Sequence, residues 1–309
     1  MKPRRSILSV PGHIEKMHHK AAASSADVLM LDLEDSVPVD AKEAARSQVI
    51  ASLQSVDWQG KVVTFRMNAP DTPFGYRDLI EVVESAGHHV DSVVVPKVND
   101  PGDVHFVSRM LDGIEMGHER TRPVFIEASI ETAAGMEQVA DISKSSDRLR
   151  TLIFCIADYQ ASIGARLVSI SGHGENEEAI YPGHRWNFTM SRMVMAAKAA
   201  GLLAIDAPYG NFRDTEGLRR ATAISCALGF DGKWAIHPAQ IDVINDMFSP
   251  SEEDIERAGR ILEAAQAAEK KGQGAIAVDG RMVDQATVRL ARQVWEQAVH
   301  LKLRLPESS

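Results

Sequence analysis

Cysteine is nearly absent from this chain: Cys155 and Cys226 are the only two in 309 residues. Both lie in apolar surroundings, so neither a disulfide framework nor a cysteine zinc site is expected, and reduced thiols in a cytoplasmic protein are. No run of 18 apolar residues occurs, which excludes a membrane-spanning helix by length. The opening M-K-P-R-R-S is followed by no long apolar stretch, so no secretory signal is expected. Net positive charge is lacking too. The balance is −9, which speaks against generic nucleic-acid binding. Missing as well are a G-x-G-x-x-G turn after a strand, a P-loop, a G-x-S-x-G elbow and an H-E-x-x-H helix. Dinucleotide, P-loop, serine-elbow and zincin chemistries therefore have no sequence support.

What is present is ordinary globular material, 44% hydrophobic and 25% charged. Charge is unevenly placed. Lys2, Arg4, Arg5, Lys16 and Lys20 stand in the first twenty residues against Glu15 alone. A basic cluster in an acidic chain suggests a local anionic ligand.

Short apolar, β-branched runs alternate with stretches of helical spacing. Strands are predicted at Ser6–Val10, Asp27–Leu33, Lys61–Arg66, Val90–Val95, Pro123–Ile130, Leu149–Ala157, Leu203–Ile205 and Lys233–Ile236. Between them, helices are predicted at Ile14–Ser24, Val39–Leu53, Gly75–Ser85, Asp103–Leu111, Asn187–Ala200 and Thr215–Leu228. Repeated strand–helix units without hairpin signals argue for a (β/α)8 TIM barrel over an open sheet. The barrel is complete by about residue 247. Residues 248–309 then form an appended helical cap, with helices at Ser251–Lys271 and Val283–Leu301, a break at Gly272-Gln273-Gly274 and a turn at Asp279-Gly280-Arg281. Ser171–Glu178 reads as a polar loop whose His173 is a surface residue, and Pro306–Ser309 as a frayed end.

The strand ends collect Gly12, Glu34, Asp35, Arg66, Lys97, Glu131, Asp158, Asp206 and His237. Helix caps alone do not call for charges of both signs at that density. Glu131 and Asp158 carry most weight, because each closes a long apolar run. A lone acid there is usually an N-cap, but Thr132 is the better cap beside Glu131. Two carboxylates at neighbouring strand ends point into one barrel mouth, where this architecture keeps its chemistry. Two hard oxygen ligands with room for water and substrate suit Mg2+.

Several stretches together resemble a known family. They are R-S-I-L-S-V-P-G, L-D-L-E-D-S-V with K-E-A-A-R, F-R-M-N, V-P-K-V, I-E-T-A-A-G-M, A-D-Y-Q-A-S-I-G-A-R, G-K-W-A-I-H-P-A-Q-I and V-D-G-R-M-V-D. This set, spread from about Arg5 to Val299, is similar to the citrate-lyase-β-like branch of the HpcH/HpaI aldolase superfamily, and within it to malyl-CoA and β-methylmalyl-CoA lyases. The resemblance implies a Mg2+-dependent TIM barrel that forms or cleaves the bond between a CoA-thioester enolate and a 2-oxo acid. It implies Glu131 and Asp158 as metal ligands and Arg66 as the contact to the 2-oxo acid and developing enolate. Glu34 and Asp35 would hold metal-bound water. Arg5 and Lys20 would lie near the CoA phosphates. Asp279 would be delivered by the tail to a neighbouring subunit's site, in a homotrimer or a dimer of trimers. Two departures leave the hydroxyacyl-CoA open: the stretch between Arg166 and Trp186 is short for malyl-CoA lyases, and Gln160 stands where a small residue is expected. Citramalyl-CoA lyase, malyl-CoA thioesterase and citrate lyase β-like activities share the scaffold. A non-catalytic acyl-CoA-binding regulator is disfavoured by the retained Arg66, Glu131, Asp158 and Asp279.

Overall fold

The computed structural model describes residues 2–118, 122–166, 185–270 and 276–303. The polar loop with His173, the Gly272–Gly274 break and the last residues lie outside these ranges. Contacts divide the chain into two compact units, Arg4–Asn245 and Asp246–Ser309 with Met1–Pro3.

The larger unit is a closed barrel of eight parallel strands in sequence order. Its first half runs β1 (Ser6–Pro11), α1 (Glu15–Ala22), β2 (Val28–Asp32), α2 (Lys42–Ser55), β3 (Val62–Arg66), α3 (Gly75–Ala86), β4 (Ser92–Val95) and α4 (Pro101–Gly117). The second half runs β5 (Phe125–Ile130), the short α5 (Ala133–Glu137) and α6 (Val139–Ile142), β6 (Leu149–Phe154), α7 (Ile156–Ser162), α8 (Asn187–Ala199), β7 (Leu203–Asp206), α9 (Thr215–Leu228) and β8 (Gly232–Ala235). Then comes α10 (Ile241–Met247). The strands are buried on both sides, so they read as continuous apolar runs. A cluster of Ile7, Val28, Met30, Val62, Val94, Ile153, Cys155, Ile205 and Trp234 fills the core. Pro11 pairs with Asp32 and Asp32 with Arg66, so three adjacent strands end at one level.

Three expectations shift. The sixth strand stops at Phe154, not Ala157, and Asp158 sits in the first turn of α7. The apolar run continued because the start of that helix is buried as well. Asp206 does not join the mouth. Its neighbour Ile205 belongs to the core cluster, so alternation turns Asp206 the other way. There it meets the fully buried Lys233 at 2.5 Å and accepts from Ser225 of α9. His237 caps the turn after β8 by accepting from Ala239 N and stacks on Phe212 at 4.6 Å.

The smaller unit holds α11 (Glu252–Lys270), an antiparallel pair β9 (Ile276–Val278) and β10 (Arg281–Val283), and α12 (Gln285–His300). Gly259 of α11 lies against Trp295 of α12, where a Cβ would stand 3.2 Å from the ring. The expected turn at Asp279-Gly280 joins the two strands. Asp279 and Gly280 both have positive φ, 51° and 73°, which makes a type I′ turn instead of the type I turn that Asp-Gly also allows. Val278, the last residue of β9, is half-buried.

Candidate active site

The carboxyl ends of β2 to β6 carry one ionic cluster. At its centre Arg66, the last residue of β3, is buried and bound in bidentate fashion to Asp32, with Nε–Oδ1 and Nη2–Oδ2 both at 2.7 Å. Asp32 also accepts from the backbone N–H groups of Glu34 and Ser36, at 2.9 and 3.1 Å. Burial would push the Asp32 carboxyl up, but the Arg66 charge and these hydrogen bonds win and hold it at about 2. The opposite corner of the guanidinium, Nη1, donates to Asp35 at 3.1 Å and lies 2.8 Å from Glu34 Oε2 without donating to it. The Arg66 cation also stands 5.6 Å from the centre of the Trp234 ring.

Lys97, just beyond β4, faces the cluster from the other side. Its ammonium donates to Glu34 Oε1 and lies 3.8 Å from Asp35. Its backbone N–H donates to Glu131 Oε1 at 2.7 Å. Thr132 caps α5 by accepting from Gly135 N at 2.9 Å, which leaves Glu131 out of that role. One oxygen on each of two buried carboxylates, Glu34 Oε2 and Glu131 Oε2, has no hydrogen-bond partner. Burial of such groups is costly unless something satisfies them.

The electrostatics agree with crowding. Burial first, then Arg66 in opposition, then the like charges of Asp35 and Glu131 leave the Glu34 carboxyl raised to about 7. Burial and the nearby Asp158 raise Glu131. Burial and Asp35 raise Asp158, against Lys97 and Arg66. Desolvation opposes the ammonium of Lys97, but the acids around it, Glu34 foremost, shift it upward. The structure thus brings Glu34, Asp35, Arg66, Glu131 and Asp158 together. Among the described residues no three His, Cys, Asp or Glu side chains form a ready-made cage. A hard ion that keeps much of its water shell needs only one or two carboxylates. The unsatisfied Glu131 Oε2, with the Asp158 carboxylate near it, suits such an ion.

Arg5 does not join them. It precedes β1, at the opposite end of the barrel, and is clamped to Asp27 through Nε at 2.8 Å and Nη2 at 2.9 Å. Arg5 is thus held away from the mouth, which composition could not show. Lys20 is exposed in the last turn of α1. Asp279, in the other unit, pairs with Arg260 at 3.0 Å and is exposed. Buried Gln160 donates to Arg166 O at 3.0 Å.

Two site members escape a reading of the sequence. Asp32 lies inside the run D-V-L-M-L-D-L, where it reads as strand interior; Val28, Met30 and Asp32 share a face, but a strand apolar on both faces hides which one looks inward. Lys97 is visible at a strand end without a role. The motif residues around them buttress the loops. Lys42 donates to the carbonyls of Leu33 and Glu34, at 2.8 and 2.6 Å. Arg46 holds Asp78 at 2.8 Å, and Asp78 accepts from Asn68 N at 2.9 Å, two residues beyond Arg66.

Residues 5–238 match the family model of the HpcH/HpaI aldolase/citrate lyase family. An L-malyl-CoA/β-methylmalyl-CoA lyase of Cereibacter sphaeroides is 39% identical over 302 residues, 96% of this chain and 95% of that one. A malyl-CoA/β-methylmalyl-CoA/citramalyl-CoA lyase of Chloroflexus aurantiacus is 32% identical over 321 residues, 99% of this chain and 91% of that one. Among solved structures, protein CitE of Mycobacterium tuberculosis in complex with magnesium, acetoacetate and coenzyme A superposes with a TM-score of 0.76 at 28% identity, covering 96% of this chain and 98% of that one.

Proposed function

This chain belongs to the HpcH/HpaI aldolase/citrate lyase family, and from that premise we propose that it is an acyl-CoA carbon–carbon lyase. The reaction is cleavage or formation of a 3-hydroxyacyl-CoA of the malyl-CoA type, with acetyl-CoA or propionyl-CoA and glyoxylate as the other side. The observation that carries the reading is the buried Glu131 oxygen that no hydrogen bond satisfies, with Asp158 near it and Glu34 held between Arg66 and Lys97. Glu131 and Asp158 would hold Mg2+, with Glu34 and Asp35 ordering its water. Bound there, Mg2+ would supply a Lewis acid for the carboxylate and carbonyl oxygens of a 2-oxo acid.

The rest falls to the chain's own groups. In cleavage, the carbinol hydroxyl loses its proton, the bond to the thioester α-carbon breaks, and its electron pair passes to that carbon as an enolate. Protonation of the enolate gives the acyl-CoA. Arg66 is a fixed, always-ionised donor whose Nη1 side faces the mouth acids, suited to the enolate oxygen and the oxo-acid carboxylate. Glu34, its carboxyl raised by burial, would take up the hydroxyl proton. Asp279 would protonate the enolate in a neighbouring protomer, which calls for a closed oligomer, most simply a homotrimer or a dimer of trimers. Lys20 remains for the CoA phosphates. A cytoplasmic setting suits the two reduced cysteines.

The experiment is a panel of acyl-CoAs and 2-oxo acids incubated with Mg2+ and read by mass spectrometry for carbon–carbon condensation and for free CoA. Condensation of acetyl-CoA or propionyl-CoA with glyoxylate supports the lyase. Release of CoA without any condensation product would instead assign thioester hydrolysis. A product with pyruvate but none with glyoxylate would assign a citramalyl-CoA lyase.

A further inference from the structure

Lys97 has a backbone that a lysine rarely adopts. Its φ is +52°, in the left-handed region, where a non-glycine side chain is strained. The neighbours hold it there. Pro96 precedes it, the N–H of Val98 donates to Ser129 O at 3.2 Å, and Gly135 comes so close that a Cβ would stand 2.1 Å from Val98 O. Strain retained at a site calls for a reason. Here the turn aims two donors of one residue in two directions. The backbone N–H reaches Glu131 Oε1 at 2.7 Å and the ammonium reaches Glu34 Oε1. In each carboxylate Lys97 takes one oxygen; the other, Oε2, is buried without a hydrogen-bond donor, and in Glu34 it lies 2.8 Å from Arg66 Nη1.

We infer that Lys97 is a positioning residue: by holding Oε1 of both Glu34 and Glu131 it fixes the two carboxylates, leaving Glu131 Oε2 for the divalent cation and Glu34 for the water around it. The inference rests on the metal reading proposed above. Among the described residues, Asp32, Glu34, Asp35, Glu131 and Asp158 share this mouth with Arg66 and Lys97, Lys42 lies beside them, and Arg66 is held chiefly by Asp32. A merely neutralising Lys97 would repel a divalent ion, so that removing its charge would tighten ion binding. A positioning Lys97 has the opposite sign, because a carboxylate freed from its clamp turns away or pairs elsewhere.

Titration of the full chain with Mn2+, without substrate, read by the electron paramagnetic resonance of the free ion, separates the two. Lys97→Gly keeps the left-handed turn and its N–H at no steric cost and removes only the ammonium. The expected result is Mn2+ binding weakened about tenfold or more, the range found when residues supporting metal ligands are removed. Lys97→Arg, which keeps a cation in reach of Glu34, should stay within roughly threefold of the parent. If the glycine variant does not fold, Lys97→Asn, neutral and tolerant of left-handed φ, carries the same expectation. Unchanged or tighter Mn2+ binding in a folded neutral variant overturns the positioning role. Glu131→Gln in the same titration reads the metal site itself. If it binds Mn2+ as the parent does, or the parent binds none, the metal reading falls and the role of Lys97 with it.

Discussion

Replacing Asp32 by Asn perturbs one buried charge and nothing of the side chain's size. The carboxylate is 1% exposed, accepts two Arg66 donors at 2.7 Å, and ties down the backbone of Glu34 and Ser36. Its depressed titration gives one measure of the pair. The gap between about 2 and the ordinary 3.8 corresponds to roughly 2–3 kcal/mol of native stability at neutral pH. Because the native value lies below the unfolded one, that stability is fully present above about pH 4 and drains away as pH falls towards 2. Removing one partner of a buried pair costs about 3–5 kcal/mol, since the other charge is left stranded. Arg66 keeps contacts with Glu34 and Asp35, so Asp32→Asn belongs near 3 kcal/mol. An Asn amide turned towards the guanidinium also sets donor against donor. Urea unfolding followed by circular dichroism at pH 7 and at pH 3 measures both effects. The variant is expected to lose about 3 kcal/mol at pH 7 and to show a flatter acid limb than the parent. A loss under about 1 kcal/mol together with an unchanged acid limb would refute the buried-pair account.

Arg66→Lys keeps the charge but cannot fork onto Asp32 while also reaching the mouth; kcat for condensation is expected to fall about 100-fold or more, and a near-normal rate would make Arg66 a scaffold residue. Asp279→Asn keeps a residue at home in the left-handed turn, so the thermal melt should hold while turnover drops; loss of both together would show that the turn, not the acid, was disturbed. Mixing Asp279→Ala with Glu131→Gln subunits should restore activity if Asp279 serves a neighbour, and no recovery after demonstrated subunit exchange rules that out. Gly135→Ala forces a Cβ to within 2.1 Å of Val98 O, so chemical denaturation should show a loss of about 1–3 kcal/mol from overpacking, and an unchanged midpoint would contradict the close approach.

Much of this protein is legible in its sequence, and for a physical reason. Parallel strands buried on both faces must be short apolar runs, and their helices must follow within a few residues, so the alternation that makes a barrel is written locally. The helix Thr215–Leu228 appears with the bounds its spacing predicts, stopped by Gly229 in the left-handed conformation at φ 94°. Glu131 is legible because Thr132 is the better cap, which leaves the acid unexplained. Partnership is not legible. Asp32, Glu34 and Asp35 lie within four residues, and which of them clamps Arg66 depends on the register of β2 against β3 and on which face of a doubly buried strand looks inward. The same parity turns Asp206 away from the mouth and onto Lys233. Arg5 and Lys20 are one basic cluster along the chain, yet Arg5 stands at the foot of β1, paired with Asp27, because a strand separates its own two ends. The role of Lys97 requires a backbone angle, +52°, that no composition or periodicity encodes. Local chemistry sets where acids and cations occur along the strands; only the closing of the barrel decides which of them meet, because charges far apart in sequence interact through the space that closure creates.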